Sequence, residues 1–212
     1  MSTNTITKIP SMKPWIGKNY FTSKQKLLIL GESHYLPKDS SIQMEENRWY
    51  SSTEDDLSHE EIEWISTTDI ISYSIENNFN SRSHWIYKNI AQALNEILQK
   101  PAYSDALSYI SFYNYFRRPA YGGYSLFVCQ KDVDIAAAYI LDFIKQNKPD
   151  IIIFTSSLAG EYGEEAVDST GIPYFTVPDP TCQWWNAAAK KYGEKTGREL
   201  FIDFLNECSW GK

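Results

Sequence analysis

Three short clusters of polar residues contain most of the side chains in this 212-residue chain that could do chemistry. They are Gly31–Tyr35, Tyr113–Pro119 and Val177–Asn186. Each cluster directly follows an apolar run of the kind that forms a buried strand. In open α/β sheets the ligand crevice lies at the carboxyl ends of the strands, so we expect the three clusters to build one shared site.

The first cluster pairs a carboxylate with an imidazole. Glu32 and His34 are two residues apart, so in an extended chain their side chains point the same way. Together they could act as a general base and the residue that orients it, or as two metal ligands. Alternatively, Glu32 accepts backbone N–H bonds in the loop and His34 closes the turn. The hydroxyl of Ser33, with no base beside it, is a poor activator of water at neutral pH.

The second cluster offers an amide and two guanidinium groups. The side chain of Asn114 carries both donors and an acceptor, so it can match the edge of a nucleobase that shows both kinds of group. Alternatively, it satisfies the backbone of a turn. Arg117 and Arg118 could contact phosphate through charge-assisted hydrogen bonds, or form a surface pair that covers aromatic neighbours.

The third cluster places a carboxylate and two indoles in one loop. Asp179 lies between two prolines, which stiffen the turn and fix its side chain. The alternative is a turn-forming Asp bonded to the N–H two residues on. We expect Thr181, Trp184 and Trp185 to contribute to a nucleic-acid-binding surface, because exposed tryptophans stack on single-stranded bases. Alternatively, at least one of the two tryptophans belongs to the core.

The elements that would position these clusters alternate between short apolar strands and amphipathic helices. The predicted strands are Lys26–Leu30, Leu107–Phe112, Ile151–Phe154 and Pro173–Val177. The predicted helices include Ser83–Gln99, Asp132–Gln146 with Asp132 or Asp134 as its cap, Leu158–Val167, a closing helix from about 192 to 208, and one opened by a capping box at Ser58. We therefore expect a single α/β domain of three α/β/α layers, with a central four-stranded, mostly parallel sheet. An N-terminal arm (1–25) and a helical insert (36–80) complete it.

The composition excludes several classes of protein. Hydrophobic residues make up 42% and aromatic residues 15%, so we expect no disorder beyond the N-terminus. No apolar stretch approaches the roughly 18 to 20 residues that cross a bilayer, and the N-terminus lacks a secretion signal, so we expect a cytoplasmic protein without membrane contact. The formal net charge of −7 counts against a general DNA coat. Three cysteines without a Cys-x-x-Cys pair argue against a disulfide framework, a zinc ribbon or an iron–sulphur cluster, and we expect no metal and no cofactor.

The order of the three clusters resembles that of the uracil-DNA glycosylase superfamily. Gly31–Tyr35 is similar to the active-site turn that follows the first strand in that family, and Asn114 stands where the family has the Asn that reads the base. Arg118-Pro119 is similar to an Arg-Pro found next in several branches, and Asp179-Pro180-Thr181 stands where His-Pro-Ser would be expected. The resemblance spans about residues 26–208.

This resemblance implies a base site formed by Tyr35 and Asn114 and hydrolysis of an N-glycosidic bond. In the family, the loop that here contains the two tryptophans carries an apolar wedge that fills the stack when a base is flipped out. Two positions depart from the pattern. Ser33 stands in place of the water-activating Asp or Asn, and Asp179 replaces the His that stabilises charge on the departing base. A carboxylate there would repel an anionic leaving group unless it were protonated.

Three functions are compatible with these residues. The first is a divergent uracil-DNA glycosylase-like protein that binds a nucleobase or nucleic acid and hydrolyses an N-glycosidic bond with water held by Glu32, Ser33 or His34. The second is a catalytically inactive nucleotide- or nucleic-acid-binding module of the same fold. The third is a Glu/His-dependent hydrolase of another class, because Gly31–His34 also resembles the Gly-Glu-x-His strand end of erythromycin esterase-like and haem-uptake-like proteins. The expected partner is nucleic acid or a nucleobase-containing small molecule.

Overall fold

Three apolar strands form the centre of the molecule, and every residue in them is buried. The computed structural model describes residues 9–212. The strands are β1 (Trp15–Ile16), β2 (Leu27–Gly31), β3 (Ile110–Asn114), β4 (Ile151–Phe154) and β5 (Tyr174–Thr176). The helices are α1 (Glu46–Ser51), α2 (His59–Ile65), α3 (Thr67–Glu76), α4 (Trp85–Leu98), α5 (Gln130–Asn147), α6 (Ser157–Asp168) and α7 (Gly197–Glu207). The complete burial of β2, β3 and β4 is typical of parallel strands covered on both faces.

The strands form one mixed sheet in the order β1-β3-β2-β4-β5. β2 pairs in parallel with both β3 and β4, and β5 pairs in parallel with β4. The prediction of four strands is wrong by one, because β1 lies antiparallel to β3 with Trp15 opposite Phe112. A strand of two residues is too short to show an alternating pattern of apolar and polar residues in the sequence.

The strand β1 belongs to the segment that we predicted as an N-terminal arm, of which residues 1–8 lie outside the described residues. The described part packs on the domain. Met12 and Tyr20 are buried, and the indole of Trp15 donates a hydrogen bond to the carbonyl of Leu107 at 2.8 Å. Residues 12–20 therefore form an edge of the sheet.

Alternate residues of the strands feed two hydrophobic clusters on opposite faces of the sheet. Leu28 and Leu30 of β2 join the cluster that contains buried residues of α5 and α6. Leu27 and Ile29 join the cluster that contains buried residues of α4 and α7. This period of two explains why a continuous apolar strand has helices on both of its faces. In the described part of the chain, no helix combines the length and the apolar character needed to cross a membrane.

The segment 36–80 contains three helices and is packed against the domain on both sides. Helix α2 begins at a capping box in which the N–H of Glu61 donates to Ser58 and the N–H of Ser58 donates to the Glu61 carboxylate. Trp49 lies in the first hydrophobic cluster, whereas Ile71 lies in the second. The segment therefore contributes to the core on both faces of the sheet rather than extending away from it.

Several element boundaries differ from the predictions, each for a local reason. β3 begins at Ile110 because residues 103–109 form a 3-10 helix. Helix α5 begins at Gln130 with Cys129 as its cap, and Asp132 takes the third position of the capping box instead of the cap itself. Helix α7 begins at Gly197, where the side chain of Thr196 caps the helix by accepting the backbone N–H of Glu199, so the closing helix is shorter than predicted.

A buried ion pair joins the segment 36–80 to the rest of the domain. The guanidinium of Arg118 donates to both carboxylate oxygens of Asp132, at 2.8 and 2.6 Å, and to the carbonyls of Gln43 and Phe127. The hydroxyl of Tyr50 donates to the same carboxylate at 2.7 Å. The pair is buried, since Arg118 is only 7% exposed and Asp132 is fully buried. The expectation that Arg118 binds phosphate from the surface is wrong because its N–H groups are already engaged inside the protein.

We predict that Asp132→Asn strongly destabilises the fold. Removing one partner of a buried pair leaves an uncompensated charge, which typically costs about 3 to 5 kcal/mol in the free energy of unfolding. The matched control is Asp203→Asn, which breaks the exposed Lys195–Asp203 ion pair and should cost about 1 kcal/mol or less. Urea denaturation of both variants measures the difference, and equal losses would contradict a structural role for the buried pair.

Candidate functional site

The order of the parallel strands reverses next to β2. The chain runs from β2 to β3 on one side, and then crosses to β4 on the other side of β2. Strand β2 comes first along the chain among the parallel strands and lies between β3 and β4. Such a reversal of strand order opens a crevice at the carboxyl ends of the strands. Glu32, Asn114 and Ser156 follow or end the three central strands at this edge.

Asn114 has a side-chain amide that the protein itself does not use. The residue is 5% exposed, yet it makes no side-chain hydrogen bond to any of residues 9–212. Neither its amide nitrogen nor its amide oxygen is fully buried, so both are accessible to solvent. The alternative that Asn114 satisfies a turn does not hold, and its donors and acceptor are free for a ligand.

A glycine creates the space for this amide. Gly31 lies opposite Asn114 in the parallel pairing of β2 and β3. A Cβ at position 31 would overlap the Oδ1 atom of Asn114 and lie 2.9 Å from Cζ of Phe112. The amide therefore lies directly over the end of the central strand, where a side chain of any other residue would displace it.

Glu32 is half-buried and links the end of β2 to two other segments. Its carboxylate accepts hydrogen bonds from the N–H of Leu126 at 3.1 Å, the hydroxyl of Ser125 at 3.4 Å and the hydroxyl of Ser156 at 2.9 Å. Ser156 also caps helix α6 by accepting the N–H of Ala159. We predicted a helix from Leu158, one residue later than observed, but not the contact of Ser156 with Glu32. The signal available for that contact was the position of Ser156 two residues after β4, at the same edge of the sheet.

Tyr35 ends the first cluster. It is 40% exposed and forms an isolated parallel bridge with Ala120. Burial raises the pKa of Tyr35, and the negative charges of Glu32 in the first cluster and Asp179 in the third raise it further.

The third cluster forms a tight turn rather than a set of outward side chains. The carboxylate of Asp179 accepts the backbone N–H of Thr181 at 2.6 Å and its hydroxyl at 2.5 Å. The amide of Asn89 in α4 donates to the carbonyl of Pro180 at 2.7 Å. This matches the alternative of a turn-forming Asp, and it leaves the carboxylate at the edge of the sheet and partly exposed.

The two tryptophans of this loop have different environments. Trp185 is fully buried and packs edge-on against Phe201 of α7. Trp184 is partly exposed, with the ammonium of Lys191 over its ring at 5.6 Å. The expectation that Trp185 stacks on bases is wrong because its indole fills the core, whereas Trp184 keeps an accessible face.

His34 faces the interior and not Glu32. It is 4% exposed, and its Nε2 atom lies 2.9 Å from the hydroxyl of Thr67. Burial, together with the charge of Arg117, lowers the pKa of His34 to about 3. The imidazole is therefore neutral at physiological pH. The hydroxyl of the neighbouring Ser33 is buried and has no hydrogen-bond partner. The predicted catalytic grouping of Glu32, Ser33 and His34 is not assembled.

Arg117 is also buried, so its positive charge is not exposed at the carboxyl edge of the sheet. Its guanidinium lies over the rings of Tyr113 and Tyr139, at 4.6 and 5.0 Å from their centroids. Two of its nitrogen atoms, Nε and Nη1, have no hydrogen-bond partner. The expectation that Arg117 binds phosphate is wrong, since stacking between aromatic rings holds the cation inside the protein.

The loop after β3 presents aromatic rings that we did not predict as functional. Tyr124 is 73% exposed and Phe127 is 91% exposed, with Tyr121 half-exposed beside them. The backbone of this loop is held firmly, because the N–H of Leu126 bonds to Glu32 and Arg118 bonds to the carbonyl of Phe127. We define Tyr35, Tyr121, Tyr124 and Phe127 as the aromatic rim of the site.

Two surface depressions lie away from this edge. One of about 370 Å³ is lined by Ile9 and residues 53–55, and one of about 210 Å³ is lined by Ile42, Arg48, residues 51–52 and Asp56. Neither contains a predicted site residue. Within residues 9–212, no group of three or more His, Cys, Asp or Glu side chains is placed to hold a metal ion. The candidate site is therefore defined by the side chains at the strand ends.

Comparison with known proteins does not assign this site. The sequence matches no protein-family model, and no curated protein matches it significantly. The function has to be inferred from the residues at the edge of the sheet.

We predict that His34 makes folding stability dependent on pH in the weakly acidic range. Its pKa is about 3 in the folded protein and about 6.5 when unfolded, so the unfolded state binds more protons below pH 6.5. The neutral, buried form of His34 therefore contributes its full stabilisation above pH 6.5, and this contribution is lost as the pH falls. Near pH 5 the free energy of unfolding should fall by about 1.4 kcal/mol per pH unit.

Urea denaturation between pH 7 and 5 measures this dependence. His34→Gln should flatten the slope, because Gln has no proton to gain. The control His59→Gln replaces an exposed histidine and should leave the slope unchanged. An unaltered slope in the His34 variant would show that this imidazole is not held neutral by burial.

Proposed function

We propose that the carboxyl edge of the sheet is a nucleobase-binding site, in a protein that resembles uracil-DNA glycosylases and binds rather than cleaves its ligand. The observation that carries this proposal is the free amide of Asn114, which is almost fully buried and yet has both polar atoms open to solvent. A fixed amide without an internal partner matches the donor and acceptor pattern of a base edge. Tyr35, four residues after Gly31, provides a partly exposed ring on which a base can stack.

The position of the amide over the end of β2, one of the two strands that flank the reversal of strand order, supports the same proposal. Gly31 and Asn114 end adjacent strands, and the carboxyl edge of an open α/β sheet is where ligands bind in this class of fold. The order of the sequence clusters, with Asn114 following the second long strand, fits the resemblance to uracil-DNA glycosylases. The glycosylase-like fold itself is part of this proposal.

Contacts within the protein favour binding over hydrolysis. His34 is neutral and bonded to Thr67, so it does not activate water or pair with Glu32. Asp179 carries a negative charge where a departing base would need a positive one. These contacts also argue against the Glu/His-dependent hydrolase, which requires Glu32 and His34 to act together.

The charge of the edge favours a small molecule over a polyanion. Arg117 and Arg118 are both buried, and the chain has no Lys or Arg between residues 119 and 130. Nucleic-acid affinity depends on cations that neutralise phosphates. We therefore infer that the ligand is a nucleobase or nucleoside rather than a duplex.

Titration calorimetry with uridine, cytidine, adenosine and guanosine tests the proposal. We predict that at least one nucleoside binds and that Asn114→Ala weakens its binding by about tenfold, the effect of losing one or two hydrogen bonds. Gly31→Ala should have the same effect, because the new Cβ displaces the Asn114 amide. The double variant should bind no more weakly than either single variant, since both remove one interaction.

The matched control is Asn80→Ala, which removes an exposed amide elsewhere on the chain. It should leave the affinity unchanged. The proposal fails if no nucleoside binds at millimolar concentration, or if binding is insensitive to Asn114.

A cleavage assay separates binding from catalysis. We predict no abasic product from oligonucleotides that contain uracil, hypoxanthine or xanthine, even with enzyme in excess, because neither His34 nor Ser33 can activate water at the edge. Alkaline cleavage followed by gel electrophoresis detects the product. Abasic sites that disappear in Glu32→Gln would instead establish hydrolysis with this carboxylate as the base.

A further inference from the structure

Two carboxylates of the first and third clusters, Glu32 and Asp179, make no ion pair within the described chain. Glu32 is bonded to neutral groups, namely two hydroxyls and one backbone N–H. Asp179 is bonded to the N–H and hydroxyl of Thr181, which are also neutral. Neither residue takes part in an ion pair within the described chain, whereas Asp132 is neutralised by Arg118 away from the edge. Hydrogen bonds from neutral donors leave each carboxylate its full charge.

Exposed aromatic rings lie on the segments next to Glu32. Tyr35 forms a bridge with Ala120, at the start of the loop that bears Tyr121, Tyr124 and Phe127. The same loop bonds to Glu32 through Ser125 and Leu126. Ring faces attract cations through their quadrupole, and they stack on planar rings of any charge. Exposed rings on a loop that is bonded to a carboxylate can therefore attract a planar cation.

The unused amide of Asn114 points independently to a ligand at this place. It is more than nine-tenths buried, it lies over Gly31 at the end of the central strand, and no described residue bonds to it. Carboxylates alone would attract any cation, including a metal ion. An amide that offers donors and an acceptor adds recognition of a polar ring edge.

We propose that the site selects a positively charged nucleobase, one that carries an extra alkyl group on a ring nitrogen. The inference rests on the proposed nucleobase-binding function and names the class of ligand. Asn114 bonds to an exocyclic oxygen or amino group that stays free beside the alkylated nitrogen, the aromatic rim stacks on the ring, and Glu32 and Asp179 supply the attraction that distinguishes the cation from its neutral parent. The same charges oppose a phosphate group, so a nucleoside binds more tightly than its nucleotide.

Two methylated nucleosides of equal size separate charge from shape. At neutral pH 3-methylcytidine is a cation, whereas 5-methylcytidine carries its methyl group on carbon and is neutral. We predict that 3-methylcytidine binds at least about tenfold more tightly than 5-methylcytidine and cytidine in titration calorimetry at low salt. The advantage should shrink as salt is added, because the carboxylates are partly exposed.

Charge-neutral variants identify the source of the preference. The double variant Glu32→Gln, Asp179→Asn keeps the shape of both side chains and should reduce the ratio of 3-methylcytidine affinity to cytidine affinity to about threefold or less. The control Glu60→Gln removes an exposed carboxylate of α2 and should keep the full preference.

The outcomes distinguish this inference from the proposed function. If the neutral nucleosides bind as tightly as 3-methylcytidine and depend on Asn114, the site binds nucleobases without selecting for charge, and the inference is overturned alone. If no nucleoside binds, both are overturned. A preference that survives in the double variant also overturns the inference, because these carboxylates would not be its cause.

Discussion

The contact between Gly31 and Asn114 is the constraint on which the candidate site depends. Strand β2 is paired on both sides, so its last residue lies in the middle of the carboxyl edge. Because that residue lacks a Cβ, the amide of Asn114 can lie over it instead of being pushed outward. The sheet fixes the backbone, the glycine opens the space, and an amide with free hydrogen-bonding capacity occupies it.

Two buried arginines determine the charge of this edge. Arg118 forms an ion pair with Asp132 that also engages Tyr50, and Arg117 is held between tyrosine rings. Both therefore stabilise the interior and neither offers its charge to solvent. What remains at the edge is the carboxylates of Glu32 and Asp179 beside the aromatic rim. We propose that a site of this kind favours neutral or cationic planar ligands over phosphate.

The sequence predicts the parts of the fold that are encoded locally. The apolar run at β4 and the capping box of α2 lie where their patterns place them, because burial and capping depend on neighbours a few residues away. The α/β class follows from the alternation of such segments. The two-residue strand β1 does not follow, because its existence depends on pairing with a strand nearly a hundred residues later.

Site residues were predictable in position but not in orientation. Asn114 and Glu32 could be placed at strand ends, since the apolar runs before them end there. The inward direction of Arg118 could not, because its partner Asp132 and the hydroxyl of Tyr50 come from two other segments of the chain. The burial of His34 likewise depends on Thr67, 33 residues away. Long-range partners of this kind leave no periodic signal in the sequence.

The most direct test of the central claim is nuclear magnetic resonance of the Asn114 side-chain amide. The two amide protons are assigned by their absence in Asn114→Ala, and the labelled protein is then titrated with a nucleoside. The account predicts that these protons shift progressively with the ligand, because they donate to it, while the side-chain signals of buried Trp185 stay in place. Binding that leaves the Asn114 amide unshifted would contradict the account, because the ligand would then be held elsewhere.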